Sequence, residues 1–168
     1  KDKKDYFYFA GGMPFVRVPA KADSIIKAHE YQAYTPLADS AGDNYQVERD
    51  INGELAYRWT TNAVVMDDNI ASKLIARKEI TAKEASHSLL DIDSGKVIRT
   101  QHGSVYYNEL KRRYVMIISQ IGGSSLLGEV WYAEAPEPTG PWKYTRKIVS
   151  HNNYSFYNPK QHPLFNTD

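Results

Sequence analysis

Apolar and polar positions alternate with a period of two through much of this chain, and that period belongs to strands. Tyr6 to Ala10 predicts a buried strand, Gly11-Gly12 a turn, and Phe15 to Ala20 a second strand. Asp23, a good N-cap, predicts a short helical stretch to about His29, and Tyr31 to Leu37 a third strand. Asp39 to Asn44 is polar and loop-like. Gln46 to Trp59 carries a hairpin signal, because Asn52-Gly53 favours a type I′ turn.

The period then lengthens. Ile70, Leu74 and Ile75 fall near helical spacing within Asp67 to Lys78. Thr81 with Glu84 matches a capping box and starts a second short helix through about His87. Two short helices among strands predict an insertion packed at a rim. Strands return at Leu89 to Asp93 and Lys96 to Thr100, either side of Ser94-Gly95. Gly103 to Asn108 and Arg113 to Gln120 flank a turn at 109–112, followed by Gly128 to Ala135 and Trp142 to Ser150. The loop Pro136 to Pro141 is rich in turn residues, and Asn158 to Phe165 looks like the start of another strand. A weak repeat relates Val16 to Thr35 with Val130 to Thr145, each a strand, a connector and a strand. Meandering strands repeated at this scale suggest propeller blades.

Composition changes this picture little. Hydrophobic residues are 42% and charged residues 24% of 168, ordinary for a globular domain with a core. A net charge of +1 supplies no global field to recruit nucleic acid or an anionic membrane. No run approaches the ~20 apolar residues of a membrane span. The basic run Lys111-Arg112-Arg113 fits a solvated hairpin tip. With no cysteine, disulfides, thiolate metal sites and a cysteine nucleophile are excluded. No apolar signal core follows Lys1 to Asp5, so an exported protein would have lost its signal before this chain begins. Aromatic residues reach 12%, and Tyr and Trp suit both β-sheet cores and stacking on sugars.

The segment Gly128-Glu129-Val130-Trp131-Tyr132-Ala133-Glu134-Ala135, followed by the loop Pro138-Thr139-Gly140-Pro141-Trp142, resembles the outer-strand connection of five-bladed β-propeller glycoside hydrolases. These are the arabinanase, xylosidase and fructosidase type. Gly103 to Asn108 and Arg113 to Ile117 look like the inner strands of the same blade, and Tyr154 to Pro163 resembles an entry to the next. The resemblance implies a mainly β chain, a partial five-bladed propeller with a short helical insertion. Its parts are a partial blade at about 6–37, hairpins and insertion at 38–100, a blade at 103–150 and the start of another at 157–168. The remaining blades would come from the rest of a parent chain or from another chain. The resemblance also implies an oligo- or polysaccharide partner and a secreted or periplasmic bacterial setting.

Such enzymes use two carboxyl groups across the scissile bond. Glu129, opening a strand at the same end as His102, is the candidate acid. Its alternative role is a strand-edge carboxylate satisfied by a neighbouring backbone group or an Arg. Glu134 falls on the other face by period-two alternation. His102 and His162 open expected inner strands and are candidate sugar contacts, with Ser104, Tyr157 and Asn158 beside them. No cofactor is expected. Calcium near the axis is the one metal the resemblance allows, although no Asp cluster is visible. Trp131 and Trp142 are expected to pack the blade. Asp91 and Asp93 belong to turns, and Gly122 to Ser125 to a crossing between strands. The expected function is glycoside hydrolysis by a carboxylate pair in the full parent, and the alternative is a non-catalytic carbohydrate- or partner-binding module.

Overall fold

The computed structural model describes residues 4–9, 12–38, 44–85 and 89–165. Expectations at Gly11, at 39–43 and at the helix end near His87 lie outside these residues. The chain is mainly β and divides into two compact units, residues 1–9 with 15–86, and residues 10–14 with 87–168.

The first unit carries a four-stranded antiparallel meander. Strands β1 (Tyr6–Phe9), β2 (Val16–Pro19), β3 (Gln32–Thr35) and β4 (Arg58–Thr61) lie in that order, with the short helix α1 (Ala22–Ile25) between β2 and β3. Two expectations need correction. Helix α1 starts one residue before Asp23, with Lys21 at the N-cap and no side-chain cap, so Asp23 is a first-turn acid instead. Strand β1 is an exposed edge rather than a buried strand, because nothing among the described residues pairs beyond it. Phe7 and Phe9 are 48% and 45% exposed.

The hairpin at Asp50 to Glu54 also differs from the type I′ form. Gly53 N–H donates to the Asp50 carbonyl at 3.0 Å and Asp50 N–H to the Glu54 carbonyl at 2.8 Å. Gly53 takes φ 82°, whereas Asn52 is not left-handed. That is a three-residue loop, a turn followed by a left-handed glycine. The Asp50 carboxylate secures it by accepting from Asn52 N–H and Glu54 N–H. Ala56 N–H still donates to the Glu48 carbonyl at 2.9 Å, and beyond it Trp59 pairs with Tyr34 on β3.

Helix α2 (Asp68–Ala76) forms where expected, because Asp67 caps it by accepting from Ile70 N–H at 2.8 Å. Its apolar positions Ile70, Ala71 and Leu74 share one face and pack with Leu37, Met66 and Ile80. Burying Leu74 alone contributes about 1.5–3 kcal/mol. Lys78 at φ 61° ends the turn after it. The capping box is present at α3 (Ala82–Ala85). Thr81 N–H donates to Glu84 Oε2 at 2.7 Å, and Glu84 N–H to Thr81 Oγ1 at 3.2 Å.

The second unit contains a small hairpin of β5 (Leu89–Leu90) and β6 (Val97–Ile98), then a larger meander. Strands β7 (Thr100–Asn108), β8 (Arg113–Gln120), β9 (Glu129–Ala135) and β10 (Lys143–Ser150) pair antiparallel in chain order. Met116 and Ile118 face the same side as their partners Ala133 and Trp131, and Leu89 and Ile98 of the hairpin complete that core. Trp142 packs against it. Residues 158–165 form no strand. They end in a 3₁₀ turn at Pro163–Phe165, where Pro163 cannot donate to a ladder.

Candidate functional site

Antiparallel order brings the starts of β7 and β9 to one end of the second sheet. Thr100, Gln120, Glu129 and Ser150 share a register row there. His102 therefore starts near the Glu129 end, as its strand position implied. The Ser119 hydroxyl donates to the His102 carbonyl at 3.0 Å, and the His102 side chain is exposed.

Glu129 shares the core face with Trp131 and Ala133 and is 6% exposed. The loop from β8 to β9 folds over it. Gly122 N–H donates to the Leu126 carbonyl at 2.9 Å and Gly123 N–H to the Ser125 carbonyl at 3.1 Å. That curl sets Ser124 against the carboxylate. Glu129 Oε1 accepts from Ser124 N–H at 3.2 Å, from Ser124 Oγ at 2.7 Å and from Lys147 Nζ at 2.9 Å. Gly123 is there because a Cβ would lie 2.7 Å from Glu129 Cδ. Lys147 stands opposite Trp131, its Nζ 5.4 Å from the ring centroid. Gln120 accepts from Trp131 Nε1 at 2.7 Å.

Burial on its own pushes the Glu129 carboxyl up. Hydrogen bonds from Lys147 and Ser124 outweigh it and leave the carboxyl below its ordinary value. Near neutrality Glu129 is thus a charged, triply bonded anion. A general acid needs the opposite, a carboxyl kept protonated by its surroundings.

The other expected contacts lie elsewhere. Ser104 pairs with Ile117, which pairs with Tyr132. Tyr132 is an odd number of positions from Glu129, so Ser104 and Glu129 occupy opposite faces. Ser104 is buried and its hydroxyl accepts from Gln161 N–H at 2.8 Å. That bond ties the segment after β10 to the sheet and brings His162 toward Ser104. His162 is exposed, with its ring 6.0 Å from Phe165. Tyr157 is 74% exposed, and Asn158 takes a left-handed φ of 51°. Glu134 sits on the Ser104 face, where the Tyr132 hydroxyl donates to it and Lys111 reaches it at 3.1 Å. Among the described residues no group of three or more His, Asp or Glu is placed to hold a metal ion. No helix among them is long and apolar enough to cross a membrane.

A second cluster, in the first unit, escaped sequence reading. Tyr6, Tyr8, Arg17, Gln32, Tyr34 and Trp59 share one sheet face by register. The Arg17 guanidinium lies 3.9 Å from the Tyr6 ring centroid and 4.1 Å from that of Trp59. Its Nε donates to Gln32 Oε1 at 2.7 Å. Trp59 makes ring contacts with Tyr8 at 5.6 Å and Tyr34 at 5.2 Å. The alternation of Tyr6 with Tyr8 was visible, but the pairing of Arg17 with Trp59 depends on a register across four strands.

Comparison with known proteins gave no match to a protein family, to a curated protein or to a solved structure.

Proposed function

We propose that this chain is a carbohydrate-binding part of a β-propeller of the five-bladed type, and that it supplies sugar contacts rather than a catalytic acid. The observation that carries the second half is Glu129. Its carboxylate is held charged by Lys147 and Ser124 beneath a closed loop, which suits a structural anion and not a proton donor. The propeller reading is supported by two four-stranded antiparallel meanders in chain order, the form of a blade. The sugar reading is supported by the half-open aromatic residues on strands, whose flat faces suit sugar C–H surfaces.

Calorimetry of the chain and of Glu129→Gln against an oligosaccharide panel tests this. Equal binding by both proteins, with no turnover of aryl glycosides, is expected. Flat titrations throughout would remove the sugar reading. In the full parent protein, turnover abolished by Glu129→Gln would establish the hydrolase reading instead, in which Glu129 and a second acid outside this chain form the carboxylate pair.

A further inference from the structure

We infer that the aromatic face of the β1–β4 sheet binds a saccharide chain carrying carboxylates, with Arg17 as the anion contact. This rests on the carbohydrate reading above and names the substrate class and the place. Three other cations among the described residues have acids. Arg49 meets Glu84 at 2.5 Å, Lys147 meets Glu129 at 2.9 Å, and Arg58 pairs with Glu48. Arg17 has no carboxylate partner among the described residues. Among the described residues its polar side-chain partners are Gln32 and, at 3.5 Å, the Tyr8 hydroxyl. The strand positions on its face are Tyr6, Tyr8, Pro19, Gln32, Tyr34, Trp59 and Thr61, none of them acidic.

The guanidinium is also fixed before any ligand arrives. Two rings and one amide hold its plane, so little freedom is lost when an anion docks. A planar fork pairs in bidentate fashion with a carboxylate, and the flanking rings accept the apolar faces of neighbouring sugar units. A neutral chain would fill the ring contacts and leave the cation without its complement. Charge complementarity therefore selects a uronic-acid chain as the occupant.

The test is calorimetry of the 168-residue chain with tri-galacturonate and with a neutral trisaccharide, xylotriose, at low and high salt. Expected is at least tenfold tighter binding of tri-galacturonate at low salt, a preference that shrinks as salt rises. Arg17→Gln is expected to abolish the preference for tri-galacturonate over xylotriose. In the unaltered chain the Arg17 Nε–H resonance is expected to shift with tri-galacturonate, which keeps the test open if the variant does not fold. Equal affinity for the two sugars, or a preference kept by Arg17→Gln, overturns this inference and leaves the sugar reading standing. An unmoved Arg17 resonance at saturating tri-galacturonate overturns it too. Failure of both sugars to bind removes the inference and the sugar reading together.

Discussion

At the residue scale the Glu129 cluster makes firm demands. Glu129→Gln keeps the shape but discards a charge-assisted bond to Lys147, with an expected loss of about 1–3 kcal/mol in urea unfolding at pH 7. The loss has a pH signature. The folded-state carboxyl titrates below its ordinary 4.5, so its contribution is complete above that value and disappears as pH falls through the lower one. The variant's stability is expected to converge on the parent's in acid, and an undiminished gap at low pH would show that the bond is not electrostatic. Glu84 follows the same sign over a defined window. Arg49, with the Thr81 backbone behind it, holds Glu84 down to about 2. Its stabilisation is expected to fade between pH 4.5 and about 2, and Glu84→Ala to lower the melting temperature at pH 7 but not at pH 2. Gly123→Ala puts a Cβ into the Glu129 carboxylate, with about 1–3 kcal/mol lost if the loop cannot shift.

At the element scale much of the fold was readable from local chemistry. The β7 to β10 meander follows from period-two alternation broken by turn residues, and the α3 capping box from Thr81 and Glu84 alone. Asp67→Ala should therefore cost about 1 kcal/mol through the freed Ile70 N–H, measured as a lower urea midpoint with unchanged slope. The misses share a cause. Asn52-Gly53 gives a turn in either hairpin form, and the Asp50 carboxylate bonding two amides selects the three-residue loop. Trp59 read as a hairpin residue because the competing partner, Tyr34, lies far back in sequence. Glu129 was visible as a carboxylate at a strand start. Its neutralisation was not, since Lys147 comes from the next strand and Ser124 from a loop with no periodicity. The Arg17 face failed to show for the same reason, a register that no window of sequence contains.

At the scale of the whole molecule, each unit has its own buried cluster. Leu74→Ala in the first and Met116→Ala in the second should each cost about 2–5 kcal/mol, since both side chains are fully buried. Hydrogen exchange should report the first loss at α2 amides and the second at β8 and β9 amides. The edge at β1 has a different consequence. Tyr6-Phe7-Tyr8-Phe9 carries no charge and no proline, and one side of its backbone is unpaired among the described residues. Such a strand is a template on which a second chain can lay its own backbone, so association in concentrated solution is expected to begin at this edge, before any global unfolding. A lysine at position 7, placed as a gatekeeper, is the substitution that should let the protein be stored at high concentration without turbidity.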